Sequence, residues 1–134
     1  MKFSDVFPEF EQDGLFVRIS MDTEVAKSLS DKEALRYSRL KFERVLKIAK
    51  GMKSNDYLYP EFGVNTCPLC AKYFKEDNKD SCKGCPIYKK TGQSGCEGTP
   101  YGDEIVEADT VEEYIPALQH EIAFLKELET LTTD

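Results

Sequence analysis

All five cysteines of this 134-residue chain lie within thirty positions of one another, at Cys67, Cys70, Cys82, Cys85 and Cys96. Cys67-x-x-Cys70 and Cys82-x-x-Cys85 are two pairs of the knuckle type, in which two intervening residues let the chain turn tightly enough for both sulfurs to reach one ion. The eleven residues between the pairs are rich in charge (Lys75, Glu76, Asp77, Lys79, Asp80) and can loop out. Four thiolates complete a structural zinc tetrahedron, with Zn–S near ~2.3 Å, and leave no position open for substrate. Segment 64–101 has few large apolar residues, so something other than a core must offset its ordering entropy. A structural zinc contributes roughly 10–16 kcal/mol of apparent binding free energy at neutral pH. The spacing therefore predicts a Zn2+ module of zinc-ribbon or knuckle type held by Cys67, Cys70, Cys82 and Cys85, although the gap between the pairs is shorter than the usual ribbon spacing.

An iron–sulfur cluster is the alternative occupant of the same thiolates. Pro86 follows Cys85 as a proline follows one cysteine of bacterial ferredoxin runs, but the C-x2-C-x2-C-x3-C-P order of those runs is not here. Cys96 has three readings: a supporting thiol beside the site, an alternative ligand replacing one of the four, or an accessible reactive cysteine. The first is favoured, because Cys96 reaches the site only through the Gly-rich loop 86–95, whose closure costs entropy that an adjacent pair avoids.

Catalytic residues are not expected. His120 is the single histidine and sits in the helical pattern "ALQHEIAFL", where a surface or interface role is the ordinary one. Nucleophile elbows, His-Glu-x-x-His and paired carboxylates do not occur, and "KKTGQSGC" lacks the Gly-Lys-Ser/Thr order of a phosphate loop.

The cysteine module needs flanking elements to hold it. Ser30-Asp31-Lys32-Glu33 is a capping-box pattern, and Leu35, Ser38, Phe42, Val45, Ala49 and Met52 recur at spacings of three and four. A helix over 31–53 follows, with Gly51 as its stop and Arg36, Lys41, Arg44, Lys47 and Lys50 outside the buried stripe. Thr110-Val111-Glu112-Glu113 is a second capping box for a helix over 110–131. Pro116 implies either a kinked helix from Thr110 or a turn before a helix starting near Ile115. Residues 1–30 read as an N-terminal extension with a short strand at 15–19 after the Asp13-Gly14 turn; Phe3, Phe7 and Phe10 are able to pack. Residues 54–63 read as a loop whose Tyr57, Tyr59 and Phe62 are expected to cover the knuckle, an exposed binding patch being the alternative. The fold class is α+β, mostly α, in one domain over 1–134: two helices flanking a metal module at 64–101.

Hydrophobic residues at 40% and charged residues at 32% suit a soluble globular chain. No apolar run approaches the ~18 residues of a membrane span. Asp5, Glu9, Glu11 and Asp13 interrupt the first twenty residues, unlike a signal peptide, so a cytoplasmic location is expected. A reducing compartment in turn favours metal ligands over disulfides. The net charge of −7 is unevenly spread: residues 31–60 sum to +4 and residues 101–134 to −9. These two segments are expected to lie against each other.

The order "EALRYS...FERV", "CPLC", "CKGCPIYKKTGQSGC", "GTPY" and "HEIAFLKEL" resembles a group of small cysteine-rich proteins of bacteriophages and prophages, over roughly residues 33–131. Lys41-Phe42 stand where that group tends to have a His-Trp pair, and residues 1–30 fall outside the resemblance. It implies a viral accessory protein with a metal-held centre and brings no activity. The expected function is thus non-enzymatic: binding of a host or viral protein, as an inhibitor or modulator of a host system. A nucleic-acid-binding zinc module using the basic helix is the alternative, opposed by the net charge. An iron–sulfur or thiol redox protein is the second alternative.

Substitution separates the five thiols. Cys96→Ser is expected to leave zinc near one per chain, whereas Cys82→Ser lowers metal affinity, both read by elemental analysis after dialysis. The opposite pattern assigns the ligand role to Cys96.

Overall fold

The structure is a computed structural model that describes residues 1–73, 84–92 and 99–132. Cys82 and Cys96 lie outside the described residues, as does most of the stretch between the two cysteine pairs. The chain is mixed α/β and mostly helical. A short helix α1 (Phe3–Val6) precedes a hairpin of β1 (Glu9–Asp13) and β2 (Phe16–Ser20), then helices α2 (Thr23–Lys27) and α3 (Asp31–Lys50). After β3 (Tyr59–Pro60) come a 3-10 turn (Val64–Thr66), α4 (Pro68–Tyr73), α5 (Pro86–Thr91), a π-helical turn (Tyr101–Ile105) and α6 (Val111–Leu131).

The long helices start where their capping boxes stand. Ser30 accepts from the Glu33 N–H at 3.1 Å while Glu33 accepts from the Ser30 N–H. Glu113 reaches back to the N–H groups of Thr110 and Asp109. α3 stops at Lys50 with Gly51 as its cap. α6 runs unbroken from Val111, with Pro116 inside it, so the start near Ile115 is not the one adopted. Pro116 has no N–H to give the Glu112 carbonyl, and packing on one face supplies what that bond would have. Val111, Tyr114, Ala117, Leu118, Glu121, Leu125 and Leu128 are buried.

α3 and α6 pack along each other, as the charge distribution anticipates. Arg39 bridges them, its Nε 3.0 Å from Glu129 and its Nη1 3.0 Å from Glu43 on its own helix. The pairing neutralises only this part of the basic helix, since Arg36, Lys47 and Lys50 remain exposed. Lys41 corrects the sequence reading, because it is 2% exposed and not outside the stripe. Its position explains this. Residues 34, 38, 41 and 45 step by four and three residues, so Lys41 shares the arc of Ala34, Ser38 and Val45.

The N-terminal segment also differs from an extension. The expected strand forms as β2, but its partner β1 and helices α1 and α2 are further elements, and Val6, Phe7, Val17, Ile19, Ala26 and Leu29 are buried in the same core cluster or against it. Gly14, at φ +63°, begins the two-residue turn of the hairpin, the conformation that such turns require. Phe3, Phe7 and Phe10 pack with ring centroids 4.9 to 6.5 Å apart. Arg44 of α3 lies over Phe3 at 4.0 Å and so pins this aromatic group to the long helix. β3 pairs parallel to β2, with Tyr59 beside Phe16, and gives the stretch read as a loop a place in the sheet. No helix among the described residues is long and apolar enough to cross a membrane.

Leu118 is fully buried between the helices. Leu118→Ala is expected to destabilise the chain by about 3 kcal/mol, against about 1 kcal/mol for loss of the α3 cap in Ser30→Ala. Urea denaturation of the two variants checks the ranking.

Candidate metal centre

Cys67 is the residue before α4, and Cys70 lies in its first turn. Pro68 begins the helix, where its missing N–H costs nothing, and Pro68 and Leu69 are buried in the core, which fixes the turn from beneath. Four groups act on the Cys67 sulfur. The Cys70 thiol donates to it, and together with Lys41 and the backbone N–H groups of Cys70 and Leu69 it brings the Cys67 pKa down to about 6 against the opposing effect of burial. These N–H groups belong to the second and third residues after Cys67.

Two lysines hold this knuckle on α3. Lys41 Nζ donates to the Thr66 carbonyl at 2.9 Å and lies over the rings of Phe42 (4.6 Å) and Phe62 (5.4 Å). Lys72, two residues beyond Cys70, donates to the Leu29 carbonyl at 2.7 Å and to Asp31 at 2.8 Å, and Tyr73 donates to the same Asp31 oxygen. These bonds hold the Asp31 pKa below the ordinary value despite the burial that opposes them.

The second cysteine pair is described only in part. Cys85 is buried and caps α5, with Pro86 as that helix's first residue. Gly84 lies flat on the Tyr73 ring: a Cβ there would stand 3.0 Å from the ring edge. Glycine is therefore what lets the chain at residue 84 approach the end of α4 this closely. Among the described residues no three His, Cys, Asp or Glu side chains come together as a metal site needs. Cys67 and Cys70 are thus brought together, Cys85 is placed beside the end of the helix they begin, and Cys82 and Cys96 lie outside the described residues.

A wall of the centre comes from residues that the sequence reading did not assign to it. Tyr101 packs its ring on Phe42 and Phe62, and its N–H donates to Glu121 Oε2 at 2.8 Å. Glu121 is 2% exposed. Burial pushes its pKa up to about 7; the Tyr101 N–H and Lys41 pull the other way, and Cys67 and Glu104 add to the rise. Its place at 114, 117, 118, 121, 125 and 128 is the inward spacing of α6, and that periodicity was the signal for it. Phe62 turns inward onto Phe42 and Tyr101 beside Lys41, whereas Tyr57 and Tyr59 are exposed. His120 is exposed and 2.7 Å from Glu104.

Compared with models of protein families, with curated proteins and with solved structures, the chain matches none.

Glu121 makes stability depend on pH. The folded chain keeps its proton up to about pH 7, whereas an unfolded glutamate releases it near 4.5. Between those values the unfolded state binds fewer protons, so stability falls as pH rises through the window. Relative to Glu121→Gln, the unsubstituted chain is expected to lose on the order of 2–3 kcal/mol between about pH 4.5 and pH 7.5. Paired urea titrations across that range measure the difference.

Proposed function

We propose that this chain is a small zinc-held accessory protein of the phage type, which acts without catalysis by binding a host or viral protein. The observation that carries the metal part is the placement of Cys67 and Cys70 at the start of α4, where the Cys70 thiol, the N–H groups of Leu69 and Cys70 and the Lys41 ammonium all favour a thiolate at Cys67. Cys85 and Cys82 supply the other two thiolates. Zinc in this position is structural: it ties the start of α4 to the start of α5 and supplies order where the sequence offers little apolar surface. A tetrathiolate carries excess negative charge, and Lys41 is placed to offset it.

Protein binding is supported by a solvent-facing surface that the core does not need, and by an acidic overall charge that opposes nucleic acid. A second reading, a dithiol redox protein, is favoured by the Cys-Pro-x-Cys order at the start of α4.

One preparation tests both. Zinc near one per chain, no visible absorption, and a loosened segment 64–101 on chelation are expected, together with capture of a specific host or viral protein by the tagged chain. Iron with sulfide replaces zinc by a cluster. Reversible oxidation of Cys67 and Cys70 to a disulfide in a zinc-free preparation, read by mass after alkylation, replaces the accessory reading by the redox one.

A further inference from the structure

The sheet has one face on the core and one in water. Val17 and Ile19 of β2 point to the core. On the other face the hairpin register sets Asp13 opposite Phe16, Glu11 opposite Arg18 and Glu9 opposite Ser20, and residues directly opposite share a face. β3 adds Tyr59 beside Phe16. The rings form a row: Phe16 and Tyr59 are 5.3 Å apart, and Tyr59 stacks on Tyr57 at 6.3 Å with planes 3° from parallel. All three are about half exposed, at 56%, 45% and 52% for Phe16, Tyr59 and Tyr57, and Leu15 at the hairpin turn is 40% exposed. A row of touching aromatic rings left in water loses free energy that a few polar residues would not, and such contiguous patches mark contact surfaces.

The surroundings of the row select its occupant. Glu9, Glu11 and Asp13 stand on the neighbouring strand, exposed Glu61 follows Tyr59 by two residues, and exposed Asp109 is held beside Tyr57 by its backbone carbonyl, which accepts the Leu58 N–H. Arg18, 3.2 Å from Asp13, is the one basic residue in the three strands. We infer that this face binds an arginine-bearing segment of a partner protein, with guanidinium planes lying on the rings of Tyr57, Tyr59 and Phe16 and their charge met by the β1 carboxylates. Arginine suits the surface better than lysine because its planar, weakly hydrated cation stacks on aromatic faces. Phosphate backbones are repelled by the same acids, and a second copy of this chain brings the same negative field. The inference rests on the protein-binding reading and names the chemistry of the partner; it does not depend on the metal.

A fluorescein-labelled peptide of alternating arginine and glycine, titrated by anisotropy, is the probe, with lysine–glycine and glutamate–glycine peptides beside it. The arginine peptide is expected to bind, the lysine peptide several-fold more weakly and the glutamate peptide not at all. Phe16→Thr with Tyr59→Thr, both exposed and both keeping a strand-forming residue, is expected to weaken arginine-peptide binding by about tenfold or more with the circular dichroism spectrum unchanged. Amide shifts of the unsubstituted chain on adding peptide should map to β1, β2 and residues 57–61. Equal affinity in the doubly substituted chain, shifts confined elsewhere, no binding at millimolar peptide, or a uridine oligonucleotide bound through these rings each overturns the assignment. Partner capture that persists in the doubly substituted chain also rejects this face while leaving protein binding itself standing; loss of the peptide and of the captured partner together supports both.

Discussion

An ammonium group at 2% exposure must find compensation inside the protein, and the arrangement around Lys41 shows where it is found. Its Nζ donates to the Thr66 carbonyl, rests on two aromatic rings, and lies within electrostatic reach of Cys67 and Glu121. Those partners come from α3 itself, from residues 62–67 and from α6. Through one side chain the middle of α3 is tied to the turn before the first cysteine pair, to the aromatic wall of Phe42, Phe62 and Tyr101, and to the inner face of α6. Removing the charge would leave a carboxyl and a thiolate with less to stabilise them, and removing either of those would leave the cation underused.

The same arrangement shows how a short helix of six described residues is held in place. α4 is too short to be stable by its own hydrogen bonds, and its order derives from both ends: Lys41 secures the Thr66 turn ahead of it, while Lys72 and Tyr73 secure its far end to Asp31 at the start of α3. Leu69 and Pro68 seal the space between. Gly84 then closes onto the Tyr73 ring. A rigid seat of this kind keeps two sulfurs at a fixed spacing, so that the metal binding proposed above would cost less entropy.

The solvent face of the sheet has a different relation to the fold. Its rings contribute little to the core, since Val17 and Ile19 of β2 and Leu58 just before β3 supply the buried surface there. Phe16, Tyr57 and Tyr59 could be polar without disturbing the packing beneath them. The centre is therefore where the chain invests in structure, and the sheet face is where its surface departs from what stability alone calls for.

Much of the framework was legible in the sequence because its signals are local. Capping boxes at Ser30 and Thr110 act within one turn, the spacing of Leu35, Phe42, Val45 and Ala49 reports a helix face, and the Asp13-Gly14 turn before an alternating run reports a hairpin strand. The pairing of the basic and acidic helices could be read from their charges. Tertiary structure alone decided whether Lys41 lies inside, that Glu121 and the Tyr101 N–H meet it there, that residues 1–30 are built into the core, and that Phe62 turns inward while Tyr57 and Tyr59 face water. The reason is physical: a charge is buried or exposed according to partners that stand 20 to 25 or more residues away along the chain, and no pattern within a few residues specifies which distant carbonyl, ring or carboxylate will be there to receive it.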